Sequence, residues 1–135
     1  MIFVDTSAWF ARIIPTDKNH SAAVAWMDRN SEPLLTTDYV VDETLTLLKM
    51  RKHVSCALAL GEALFSGKLT CLHYLDPEEI REAWTVFEQY KDKNWSFTDC
   101  TSKVVMERVG VHTAFAFDRH FHQFGSIEVV PALFP

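Results

Sequence analysis

Glycine and proline are both scarce in this chain of 135 residues, at four and five copies. That disfavours an all-β architecture, which needs many tight turns. Cysteine is rare too: Cys56, Cys71 and Cys100 form no C-x-x-C pair, and no histidine stands at zinc-finger spacing. They read as three reduced, largely buried thiols of a cytosolic protein, not as a disulfide framework. Positive charge is in deficit, with 13 Lys plus Arg against 18 acids for a net charge of −5. Binding of duplex DNA by charge alone is therefore disfavoured, whereas a site that binds nucleic acid through a metal remains open. No apolar run approaches the ~20 residues of a membrane span. The best, residues 54–65, contains Glu62. Only Ile2, Phe3 and Val4 precede Asp5, and Arg12 interrupts the apolar stretch that follows, so no signal peptide is expected. The expectation is a soluble, cytoplasmic protein.

Hydrophobic residues make up 48% and charged residues 23%, close to the globular average. The length suggests one domain over residues 1–135, large enough to fold around its own core. Ile2-Phe3-Val4 is an apolar run without alternation, as in a strand buried on both faces. Asp5-Thr6-Ser7 then supplies helix-capping residues before a helix from Ala8 to Ile14. A second helix is expected over His20–Asn30, a strand over Pro33–Thr36, and a long helix capped by Asp38 and running to about Lys52. Ser55–Ser66 reads as a helix closed by Gly67, and Leu69–Leu75 as a strand. Asp76-Pro77-Glu78-Glu79 is a strong helix start, and Ser96-x-x-Asp99 resembles a capping box for a helix ended by Gly110. His112–Phe117 and Ile127–Val130 complete the strands. Strands alternating with helices imply a parallel sheet covered on both faces.

In open α/β sheets, ligands bind beyond the carboxyl ends of the strands, where strand order reverses. Asp5 follows the first expected strand and Asp118 the fourth. Asp99 opens the helix leading to the fourth strand, and Glu43 lies about one turn into the long helix. Each acid has an ordinary reading: Asp5 as a helix cap, Asp99 as a capping-box partner, Glu43 and Asp118 as solvated acids. Four carboxylates at one sheet end repel one another, however, and rest comfortably only with cations among them. Hard oxygen ligands without His or Cys suit Mg²⁺ or Mn²⁺.

Ile2-Phe3-Val4-Asp5-Thr6-Ser7, Val41-Asp42-Glu43-Thr44, Ser96-Phe97-Thr98-Asp99-Cys100 and Phe115-Ala116-Phe117-Asp118-Arg119-His120-Phe121 together resemble the PIN-domain family. The similarity is greatest to the VapC-type toxins of prokaryotic toxin–antitoxin pairs, and it runs along essentially the whole chain. It implies a three-layer α/β/α sandwich around a five-stranded parallel sheet in order 3-2-1-4-5. It also implies a Mg²⁺- or Mn²⁺-dependent ribonuclease whose metal-binding and catalytic acids are Asp5, Glu43, Asp99 and Asp118. Thr6 and Thr98 would support the ligands through hydrogen bonds. The implied partners are an RNA substrate, a second copy in a homodimer and a cognate antitoxin.

Such a ligand set fits cleavage by activated water, with no side chain as covalent nucleophile. Lys49, Arg51, Lys52 and Arg119 are candidate contacts to the RNA backbone, although a basic helix end is also favoured by the helix dipole alone. His120 and His122, at i and i+2, can be read as metal ligands, but with no third histidine nearby they read instead as a solvated or RNA-facing loop. A phosphotransfer receiver would need a second acid beside Asp5 and a lysine after Val130, and both are missing. A haloacid-dehalogenase-type phosphatase would need an aspartate where Ser7 stands. The remaining alternative is a PIN-like fold acting as a non-catalytic protein- or RNA-interaction module. The aromatic helix residues Trp9, Phe10, Trp26, Phe65 and Trp84 exceed what one small sheet needs, which points to an interface.

Overall fold

The computed structural model describes residues 1–132. Its centre is β1 (Ile2–Val4), in which all three successive side chains are buried. Neighbouring side chains on a strand point to opposite faces, so both faces of the sheet's middle are covered. β1 pairs in parallel with β2 (Leu34–Thr37) on one side and β4 (Thr113–Phe115) on the other. β3 (Cys71–His73) and β5 (Glu128–Val130) form the edges, giving the order β3-β2-β1-β4-β5. The strand order therefore reverses about β1 and β4, and the crevice outside their carboxyl ends is the natural ligand position.

The helices are α1 (Thr6–Ile13), α2 (His20–Arg29), α3 (Asp38–Met50), α4 (Val54–Phe65), α5 (Pro77–Gln89) and α6 (Phe97–Val109). A short 3-10 helix, Arg119–Gln123, follows β4. One hydrophobic cluster joins the sheet to its helices through Phe3, Val4, Trp9, Leu48, Leu64, Val104, Phe115 and Phe121. The indole of Trp9 donates to Thr36 Oγ1 (3.4 Å), whose hydroxyl donates to the Val4 carbonyl (3.1 Å), so α1 is tied to the two central strands. Among the described residues, no helix is long and apolar enough to cross a membrane.

The helix starts follow the sequence closely. Asp5 caps α1 by accepting from Ser7 N, and full capping boxes open α5 (Asp76 with Glu79) and α6 (Ser96 with Asp99). At the end of α6, Gly110 adopts φ +72°, a left-handed conformation that costs a residue without a side chain little. Asp38, however, does not cap α3. Strand β2 runs straight into the helix, so Thr37, still extended, is the cap and accepts from Val40 N. Asp38 Oδ1 instead accepts from Leu75 N (3.1 Å), satisfying a backbone group just beyond β3. The cysteines also differ from expectation. Only Cys100 is buried; Cys71 is exposed because it lies on an edge strand, and Cys56 is half-buried.

Of the five aromatics expected to be in surplus, Trp9 and Phe10 are core residues, and Trp26 packs against Phe115 with ring centroids 4.2 Å apart. Phe65 and Trp84 do remain more than half exposed, at 59% and 52%.

Candidate active site

Asp5 leaves β1 at the point where the chain turns into α1, and its backbone N–H is held by the Phe115 carbonyl at the end of β4 (3.1 Å). Its side chain is almost completely buried, with 3% exposure. Asp5 Oδ2 accepts from Ser7 N (3.1 Å) and from Ser7 Oγ (2.7 Å). The same Ser7 Oγ accepts from Phe117 N (2.9 Å), so one hydroxyl fixes the carboxylate and also the segment leading to Asp118.

Asp99 sits in the first turn of α6, also nearly buried at 5% exposure. Its Oδ2 accepts from Ser96 N (2.9 Å) as the return half of the capping box, and from His120 Nδ1 (2.8 Å). Asp118 stands at the mouth, where its Oδ1 caps the 3-10 helix by accepting from His120 N (3.0 Å). The His120 ring nitrogen lies 3.2 Å from the same oxygen. Glu43 enters from α3, half-buried. Beneath it, Thr44 donates to the Val40 carbonyl (2.7 Å), and its hydroxyl lies 3.0 Å from that of Thr6.

The four carboxylates are close enough to perturb one another. Burial is the main cause pushing Asp5 up to about 7; Asp99 and Glu43 add to it, while the Ser7 hydrogen bonds oppose it. Glu43 is raised by burial and by Asp99, Asp118 and Asp42, against a hydrogen bond from Thr6. Asp99 is raised by burial and by Asp118, against hydrogen bonds from Ser96 and His120. Among the described residues, no lysine or arginine makes an ion pair with any of the four acids. Desolvated like charges in this arrangement favour a bound cation. An oxygen-rich donor set of this kind fits a hard divalent ion such as Mg²⁺ or Mn²⁺.

Asp5, Glu43, Asp99 and Asp118 thus converge on one crevice from four distant segments. Thr6 lies within it, whereas the Thr98 contacts run through its carbonyl oxygen, which accepts from Thr101 and Ser102. Arg119 is exposed beside the crevice, and Lys49, Arg51 and Lys52 are exposed at the end of α3. The Arg51 guanidinium lies over the Phe10 ring, 5.3 Å from its centroid. It shares a cleft of about 250 Å³ with Ser7, Phe117 and Asp118. His120 corrects the expectation of a solvated loop, since it joins Asp99 and Asp118; His122 is exposed as expected. The cause is Phe121, fully buried against Phe3 with ring centroids 6.2 Å apart, which turns the preceding residue inward. Ser7, which the sequence marks only as a helix-capping residue, is also the group that holds the Asp5 carboxylate.

Comparison with known proteins bears on the same residues. The PIN domain family matches residues 2–126. A protein from Mycobacterium tuberculosis strain H37Rv named 23S rRNA-specific endonuclease VapC20 is 35% identical over 132 residues, 97% of this chain and 99% of that protein. A VapC ribonuclease from Archaeoglobus fulgidus is 34% identical over 111 residues, covering 78% of this chain and 70% of its own. The crystal structure of the mycobacterial VapC20, described as a sarcin-ricin loop cleaving toxin, aligns with a TM-score of 0.90 at 30% identity. It covers 97% of this chain and 100% of the other. FitAcB from Neisseria gonorrhoeae, at a TM-score of 0.68 and 16% identity over 96% of each chain, shares the fold. With the sheet order, the four converging acids and the match from the first strand onward all in agreement, the chain belongs to the PIN-domain family, and VapC ribonucleases are among its relatives.

Proposed function

We propose that this protein is a Mg²⁺- or Mn²⁺-dependent endoribonuclease, acting in the cytoplasm as the toxin of a type II toxin–antitoxin pair. The observation that carries this reading is the convergence of four partly or fully buried carboxylates that have no lysine or arginine partner among the described residues. Asp5, Asp99 and Asp118, with Glu43, would hold the ions. A bound divalent ion supplies charge neutralisation at the phosphodiester and acidifies a coordinated water. Ser7 holds Asp5 in a single orientation, and the Ser96 N–H does the same for Asp99. Glu43, half-buried at the crevice, is placed to accept a proton from the attacking water at its carboxylate oxygen. Arg119 and Arg51 flank the crevice and can contact the RNA backbone, with Lys49 and Lys52 further out on α3.

The exposed apolar residues suit protein partners. Val54, Leu58 and Phe65 mark one face of α4, and Trp84 and Phe87 stack on α5 with ring centroids 5.8 Å apart. We assign these faces to a homodimer and to a cognate antitoxin. The relatives' names make a 23S rRNA fragment carrying the sarcin-ricin loop the first substrate to try. Cleavage should require Mg²⁺ or Mn²⁺, stop with chelator, and not return with Ca²⁺. Cleavage that persists in chelator would overturn the metal-dependent mechanism. Binding of RNA with no cleavage under any metal would favour the non-catalytic module.

A further inference from the structure

The acids at the crevice are joined by one nitrogen donor. His120 Nδ1 lies 2.8 Å from Asp99 Oδ2 and 3.2 Å from Asp118 Oδ1, and one ligand atom from each of the three residues falls within a 4.8 Å group. Ligands at right angles on an octahedral ion with bonds of 2.0–2.1 Å are separated by about 3 Å. The two observed separations bracket that edge, so Nδ1 stands at the spacing of an adjacent corner from each carboxylate oxygen. The buried Phe121 anchors the 3-10 turn, and His120 N is bonded to Asp118 Oδ1 (3.0 Å), so the ring is held in place by backbone as well as side chain. A divalent ion between the carboxylates takes the place of the Nδ1 proton that Asp99 accepts in its absence; with the ring's proton then on Nε2, Nδ1 offers the ion a lone pair.

We propose that His120 is a nitrogen ligand to a divalent ion shared with Asp99 and Asp118, and that it biases this site toward Mn²⁺ over Mg²⁺. The proposal rests on the metal-dependent reading above. Its chemical basis is that imidazole is a softer donor than carboxylate or water, and Mg²⁺ accepts it less readily than transition ions do. An all-oxygen shell lacks this preference, so His120 is a specificity-determining residue for the ion, not for the RNA.

The test uses the full chain freed of metal by chelator and dialysis, with Mn²⁺ or Mg²⁺ alone as probe and no RNA. Pulsed EPR of the Mn²⁺ complex should show nitrogen-14 modulation from a coordinated imidazole. The modulation should vanish in His120→Gln and persist in His73→Gln, which alters the other histidine–carboxylate pair. By calorimetry, His120→Gln should lower the ratio of Mn²⁺ to Mg²⁺ affinity by about tenfold, a ligand-sized effect. Circular dichroism of the variant checks folding, and the wild-type spectrum decides the point without any variant. Mn²⁺ that binds in an Asp99-dependent way with no nitrogen coupling overturns the role of His120 and leaves the ribonuclease reading standing. Failure of the wild type to bind either ion overturns both.

Discussion

Two helix starts in this molecule are built almost alike. At α5, Glu79 closes a capping box with Asp76 and lies 3.0 Å from His73 Nε2; at α6, Asp99 closes a capping box with Ser96 and lies 2.8 Å from His120 Nδ1. Both carboxylates are nearly buried, at 3% and 5% exposure. The difference lies in the surroundings. Glu79 is beside the edge strand β3, whereas Asp99 faces Asp5, Glu43 and Asp118 at the reversal of strand order. A buried acid with a histidine on a helix cap is thus a stabilising device in one place and part of a candidate active site in the other. What separates them is the company of further uncompensated carboxylates.

Substitutions can break or sharpen this contrast. The largest effect is expected for Asp99→Asn, which keeps an acceptor for Ser96 N–H but removes the charge that holds a divalent ion. RNA cleavage should fall by at least ~100-fold, while Glu79→Gln should leave the cleavage rate unchanged. Equal losses in the two variants would erase the distinction between the helix starts.

Next in size is the response of Asp5 to pH. Its carboxyl titrates near 3.8 when exposed and near 7 in the fold, so between those values the folded state binds more protons than the unfolded one. Stability of the metal-free protein is therefore highest below that window and falls as pH rises through it. Asn also caps helices well, so Asp5→Asn removes this penalty without removing the cap. Thermal melting in chelator should place the variant above wild type at pH 8 by up to a few kcal/mol, at ~1.4 kcal/mol per pH unit, with the two converging near pH 4. Mn²⁺ should then raise the melting temperature of wild type only. A variant that melts below wild type at pH 8 would show that Asp5 is a net stabiliser as an ion.

At the other helix start, Glu79→Ala removes the buried carboxylate that accepts from Asp76 N and lies 3.0 Å from His73 Nε2, and should cost about 1–3 kcal/mol by denaturant unfolding, with cleavage per folded molecule unaffected. The smallest effects belong to the caps themselves. Ser96→Ala and Asp76→Ala should each lose about 1 kcal/mol, and a much larger loss at Ser96 would mean that the two boxes are not equivalent.

Much of this was legible in the residues. The uninterrupted apolar run Ile2–Val4 announced a central strand, and the acids stood just past strand ends or in first turns. What could not be read was contact made across the sheet. Nothing in the string Arg119-His120-Phe121-His122 distinguishes the two histidines; only burial of Phe121 turns one inward. Asp38 and Thr37 are both good caps, and the choice fell to Thr37 because no loop separates β2 from α3. Cys71 resembled the other cysteines until its strand proved to be an edge.

The hydroxyl of Ser7 has a temporal consequence. It joins the Asp5 carboxylate to the backbone of Phe117 across 110 residues of sequence, the longest span among the side-chain hydrogen bonds of the described residues. Such a closure forms only after the intervening chain has been made and ordered, because its loop entropy must be offset by the sheet first. During synthesis, which adds roughly 5–20 residues per second, the acids at the start of the chain wait several seconds for their partners. The crevice therefore cannot close before residue 117 has been made, and a shorter nascent chain carries Asp5 without the site.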